Sequence, residues 1–236
     1  MGRLSGSNCH LFGFKRSKFA IRTNKFLLRY CLAFDECAIS AKNAKPKNDQ
    51  INLFMRTLSG KVLEKLGWKI TGSYGDIKKS VTIFAPHTAH IDAIYGKLGF
   101  TELGVKFKFL SKKELFFFPM NLIMRKFGSI PVRGVKGKNA IYQVVDLLNS
   151  SEELHIVVSP EGWVKKMVKW NKGFYYMAQK ANVPIVIAAL DYGKKEMGVL
   201  GVIHDTSDFN SVMNQIKDAY KNVQGKNPER FAFHSE

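Results

Sequence analysis

Two short apolar runs constrain this chain more than any other feature. They are Val81-Thr82-Ile83-Phe84-Ala85 and Leu154-His155-Ile156-Val157-Val158. Runs of this length without polar alternation read as strands buried on both faces, the situation inside a parallel sheet. Each run ends in a short block of a different kind. Pro86-His87-Thr88-Ala89-His90-Ile91-Asp92 follows the first, and Ser159-Pro160-Glu161-Gly162 follows the second.

Around these runs strands and helices alternate. Leu53, Phe54, Leu58, Val62, Leu63 and Leu66 have helical spacing and stop at Gly67. Residues 68–70 read as a short strand and residues 92–98 as a helix. Val105, Phe107 and Phe109 alternate as a strand. Further strands are expected at 130–132, 184–190 and 198–203, and helices at 139–148, 173–181 and 209–223. The very apolar segment 115–127, broken by Pro119, is expected to be partly core, with one face available to lipid or an acyl chain. This alternation predicts a single α/β domain over residues 51–236, with a mainly parallel central sheet flanked by helices. Chemistry in such sheets gathers beyond the carboxyl ends of strands. Both blocks lie there.

The charge points to the partners. The net charge is +18 over 236 residues, which attracts nucleic acid, phosphorylated substrates, an acidic carrier protein or an anionic membrane face. Zinc-finger spacings and ribonucleoprotein aromatic motifs are absent from the sequence, so nucleic acid is not the expected partner. No run reaches the roughly 18 apolar residues of a membrane-spanning helix. The expectation is a cytoplasmic protein, peripheral to a membrane. Cys9, Cys31 and Cys37 are the only cysteines. An odd number confined to the first 40 residues fits a reducing compartment better than a disulfide framework.

Residues 1–50 differ from the rest. They hold 10 Lys and Arg against 3 Asp and Glu, and the remainder holds 27 against 16. They read as a basic, poorly ordered extension ending in a polar linker at 40–50. A start assigned upstream of the true one, or a basic membrane-contacting arm, would account for them. Gly6 stands where an N-myristoylation signal needs Ser or Thr.

The chemistry centres on His87 and Asp92. A histidine held by a carboxylate is a general base for a hydroxyl, and this spacing lets the two side chains meet across one strand-to-helix turn. The competing reading is a loop histidine with Asp92 as a helix cap. His90 lies between them, but two histidines and one carboxylate fall short of a zinc site, and no metal is expected. Glu161-Gly162 reads either as a carboxylate that accepts hydrogen bonds from substrate hydroxyls, with Gly162 allowing close backbone approach, or as an exposed turn. Arg133, between a short strand and Gly134, suits bidentate phosphate recognition, or is a surface Arg at a strand end. Lys165 and Lys166 could hold an anion or form a solvated face.

In combination and in order, these blocks resemble the glycerolipid acyltransferase family over roughly residues 54–205. The first family motif is matched by residues 86–92, with His87 and Asp92 as its catalytic pair. The second is matched by Gly128-Ser129-Ile130-Pro131-Val132-Arg133, whose Arg contacts phosphate in the family. The third, typically Phe-Pro-Glu-Gly-Thr-Arg, appears as Ser159-Pro160-Glu161-Gly162-Trp163-Val164. The fourth appears as Val183-Pro184-Ile185-Val186. Val164 replaces the closing Arg of the third motif, which weighs against a simple lysophosphatidate acceptor. Either Lys165 or Lys166 substitutes, or the acceptor is another lysolipid.

The resemblance implies a membrane-associated O-acyltransferase. His87 would deprotonate the acceptor hydroxyl as it attacks an acyl thioester, from acyl-CoA or acyl carrier protein, with Asp92 supporting His87. Arg133, Glu161, Gly162, Lys165 and Lys166 would bind the lysolipid acceptor. No cofactor beyond the acyl donor is implied. The alternatives are a non-catalytic anionic-lipid binder on the same fold and an acyl-thioester hydrolase.

Overall fold

A computed structural model describes residues 45–132, 138–161 and 170–231. The basic extension up to residue 44, and with it the three cysteines, lies outside the described residues, as do Arg133, Gly162, Trp163, Val164, Lys165 and Lys166.

Helix α1 (Lys45–Lys65) leads into strand β1 (Lys69–Thr71) and then β2 (Lys79–Ala85). Helix α2 (Asp92–Glu102) and β3 (Phe107–Lys112) follow, then a 3₁₀ turn (Lys113–Leu115), α3 (Met120–Lys126) and β4 (Ser129–Val132). Helix α4 (Lys138–Ser150), β5 (Leu154–Val158), α5 (Gly173–Ala181), β6 (Ile185–Asp191), β7 (Glu196–Ile203) and α6 (Phe209–Tyr220) complete the domain.

The strands form one sheet in the order β1-β7-β6-β2-β5-β3-β4. Every neighbouring pair is parallel except β6–β7, an antiparallel hairpin. The two apolar runs are adjacent: β2 pairs with β5 through Val81↔Ile156 and with β6 through Val81↔Ile185. Both are buried along nearly their whole length because helices cover both faces of the sheet. On one face Val144, Leu148, Phe174, Met177, Val212 and Ile216 from α4, α5 and α6 pack on Val81, Ile83, Ile156 and Ile187. On the other, Leu63, Ile94 and Leu98 from α1 and α2 pack on Phe84, Val157 and Val186. Helix α2 approaches closely because it presents Gly96 and Gly99. A methyl at Gly96 would lie 3.0 Å from the Phe84 ring, and one at Gly99 would collide with the Met197 sulfur.

Two expectations need correction. The polar run 40–50 is helical from Lys45, because Pro46 falls in the first turn, where its missing N–H costs nothing. The buried face of α1 is Met55, Ser59 and Leu63; Leu53 and Phe54 are exposed. The apolar segment 115–127 is divided as expected: Leu115, Phe116, Met120, Ile123 and Met124 are half-buried and Phe127 packs against the core, while Phe117, Phe118 and Leu122 are exposed.

Candidate active site

The sheet brings the site together at one rim. Strands β2, β3, β4, β5 and β6 run in the same direction, so their carboxyl ends share one side. The chain leaves β2 through a cis Ala85–Pro86 bond and turns through His87–Ile91 before α2 begins at Asp92. Strand β5, next to β2, ends just before Ser159, and Glu161 lies beside the turn.

Asp92 is buried and clasps this turn. Its Oδ2 accepts hydrogen bonds from the Thr88 and Ala89 amides, at 2.8 and 2.7 Å. Its Oδ1 accepts one from the Tyr192 hydroxyl at 2.5 Å. The His87 Nδ1 lies 3.7 Å from Asp92 Oδ2, and the imidazole keeps 22% exposure against 0% for the carboxylate. This Nδ1 is buried and makes no hydrogen bond among the described residues. The pair is thus in electrostatic contact and a few tenths of an ångström short of a hydrogen bond, a looseness common before substrate binds. Asp92 does not cap its own helix.

Electrostatics keep His87 neutral. Burial lowers its pKa below the usual 6.5 and His90 adds to that, while the Asp92 charge opposes it. Glu161 goes the other way. Its pKa rises from 4.5 to about 7, first because it is buried, with the Asp92 charge adding and the His87 amide opposing. The Glu161 Oε2 accepts the His87 backbone N–H at 2.9 Å, and Oε1 is buried without a hydrogen-bond partner among the described residues. A buried carboxyl oxygen of this kind is able to take a hydrogen bond from a hydroxyl donor.

The arrangement therefore joins His87, Asp92 and Glu161. Arg133 follows β4, whose carboxyl end is on the same rim. It lies outside the described residues with Gly162, Lys165 and Lys166. His90 is exposed just ahead of α2. Among the described residues no three His, Cys, Asp or Glu side chains converge as a metal-ligand set.

Sequence reasoning misses two supports. Tyr192 follows β6 at the hairpin turn. Its ring stands perpendicular both to Trp68 (4.9 Å between centroids, 88°) and to Tyr95 (6.2 Å, 87°). Its place just past a strand's carboxyl end was the only available signal. The second support is the chain after α6. Asn227 donates its backbone N–H to the Thr88 hydroxyl (3.2 Å) and its side-chain amide to the Thr88 carbonyl (2.9 Å), which also accepts from Arg230 at 3.3 Å. A Cβ on Gly225 would lie 2.9 Å from Thr88, so this strap passes directly against the turn. No local pattern marks these residues.

A sequence model of the family described as Acyltransferase matches residues 69–190, just over half of the chain. No curated protein matches significantly. The fold is similar to the crystal structure of the 1-acyl-sn-glycerophosphate (LPA) acyltransferase PlsC from Thermotoga maritima. The TM-score is 0.57 at 16% identity, over 87% of this chain and 90% of that one.

Proposed function

The chain belongs to the acyltransferase family, and on that premise we propose that it moves a fatty acyl group from an acyl thioester to the hydroxyl of a lysophospholipid or related lysolipid at a membrane surface. The observation that carries this reading is the His87–Asp92 approach of 3.7 Å at the strand rim, with Glu161 tied to the His87 amide. No described helix is long and apolar enough to cross a membrane.

Nδ1 faces Asp92, which leaves Nε2 as the nitrogen for the acceptor. His87 takes the hydroxyl proton as the oxygen attacks the thioester carbonyl. Asp92 stabilises the imidazolium that forms. The tetrahedral intermediate collapses, the carbon–sulfur bond breaks, and the thiolate leaves with the proton from His87. The products are the ester and the free thiol of CoA or of acyl carrier protein. Glu161 orients the acceptor through Oε1. In this reading Arg133, Gly162, Lys165 and Lys166 hold the acceptor's anionic head.

The test incubates purified protein with labelled acyl-CoA or acyl carrier protein and a lysolipid panel, comparing His87→Ala. Acyl transfer to at least one lysolipid should fall about 10²–10⁴-fold in the variant, the scale of a lost general base. Undiminished transfer would sink the assignment. Fatty acid release without dependence on lysolipid would make the protein a hydrolase instead.

A further inference from the structure

The strand rim that carries His87 also carries the most exposed large apolar side chain of the described residues. Strand β3 ends at Lys112 on that rim, two strand positions from β2, about 10 Å along the sheet. The chain then projects through the 3₁₀ turn before α3 carries it back to β4. At the tip Phe118 is 80% exposed and Phe117 58%. Leu122, in the first turn of α3, is 55% exposed. The elements Lys113–Leu115 and Met120–Lys126 contain no buried residue. The patch therefore contributes nothing to the core that would explain its apolar character.

The flanks are cationic. Lys113 and Arg125 are exposed on either side of the tip. Over residues 107–126 five Lys and Arg stand against a single acid, Glu114. Aromatic and aliphatic side chains between basic anchors are the composition of a segment that lies in the headgroup boundary of an anionic bilayer. A second copy of the chain fits poorly. Three exposed side chains on a loop tip fall far short of the roughly 800 Å² per partner of a stable interface, and two chains of net charge +18 repel.

We propose that Phe117, Phe118 and Leu122 dock the protein on an anionic lipid bilayer, with Lys113 and Arg125 contacting the head groups. The docked loop holds the catalytic rim over the membrane that supplies the acceptor. This deepens the lipid-acceptor reading above and rests on it only for its purpose; docking itself is measured without turnover.

The experiment uses the full chain and vesicles of phosphatidylcholine with or without phosphatidylglycerol. It compares Phe117→Ser/Phe118→Ser with Leu53→Ser/Phe54→Ser. The control pair is equally exposed, at 64% and 59%, but sits at the pole remote from His87. That end of α1 lies beyond Arg56 and Gly60, which pack on Gly104 and Glu102 past the end of α2. Binding to anionic vesicles should weaken about tenfold or more in the loop variant, the scale of one phenylalanine leaving an apolar surface. The control pair should bind as the wild type does. Lys113→Glu/Arg125→Glu should lose the preference for anionic over neutral vesicles, which provides a second route if the serine variant misfolds. Both serine variants should match wild-type turnover of a water-soluble short-chain lysolipid.

Wild-type vesicle binding by the loop variant overturns the proposal. So does an equal loss in the control pair. Loss of soluble-acceptor turnover with vesicle binding intact would instead make the loop a wall of the acyl pocket. A lipid-free dimer abolished by the loop substitutions would make a second copy its occupant. If no lysolipid is acylated while the vesicle differences hold, the catalytic reading fails and the docking surface stands.

Discussion

Asp92 is held from three directions, by two turn amides on Oδ2 and the Tyr192 hydroxyl on Oδ1. A carboxylate so fixed orients a neighbouring imidazole without spending motion on it. In the proposed mechanism Tyr192 is then a positioning residue, acting through Asp92. A hydrogen bond to a charged group contributes about 1.5–3 kcal/mol. Tyr192→Phe keeps the ring between Trp68 and Tyr95 and should lower kcat about tenfold, with donor KM nearly unchanged. It should also move the acid limb of the rate profile to higher pH, since an Asp92 charge no longer shared with Tyr192 favours protonated His87. A steady-state pH profile that matches the wild type would remove Tyr192 from the mechanism. Glu161 offers the opposite test. Its folded pKa of about 7 exceeds the usual 4.5, so its ionised form destabilises the fold above pH 7. Glu161→Gln retains an acceptor for the His87 amide. At pH 8 it should raise stability by on the order of 2 kcal/mol while impairing acyl transfer. Urea unfolding at that pH checks it. His87, Asp92 and Glu161 are legible in the sequence because each sits within a few residues of an apolar strand. Tyr192 is not, because it reaches Asp92 from 100 residues away.

At the scale of elements, the separation of 74 positions between His87 and Glu161 is bridged by one fact, the pairing of β2 with β5. The strap after α6 adds a second constraint on the same turn. Its Asn227 satisfies both the hydroxyl and the carbonyl of Thr88, itself fully buried. Asn227→Ala leaves that carbonyl, among the described residues, to Arg230. It should cost about 1 kcal/mol of stability and reduce activity several-fold, although Asn227 is no part of the proposed chemistry. Thermal unfolding beside kinetics separates the two effects; wild-type kinetics would show that the turn holds itself. The strands and helices with strong apolar pattern are legible in the sequence: β5 and α5 fall at their expected positions. Periodicity fails at the periphery. Leu53 and Phe54 share helical spacing with Leu63, yet only the lower part of α1 meets α2.

For the whole molecule, buried titratable groups set opposing responses to acid. His155 is fully buried beside Ser80, 2.8 Å from its hydroxyl, and burial pushes its pKa from 6.5 down to about 4. The unfolded chain therefore takes this proton first, and stability present above pH 6.5 is lost as pH falls toward 4. Glu161 compensates, since the folded state takes its proton first between about 7 and 4.5. The stability advantage of Glu161→Gln over the wild type should thus close as pH falls from 7 to 4.5, and urea midpoints at both ends decide it. The strap carries a consequence of a different kind, in the order of synthesis. The Thr88 turn leaves the ribosome 139 residues before Asn227 does. At 5–20 residues per second that is a lag of roughly 7–28 s. A nascent chain holds its histidine and aspartate throughout that interval without the contacts that complete their setting. A message cut short before the strap codons would yield a protein with every proposed catalytic residue and an unfinished catalyst.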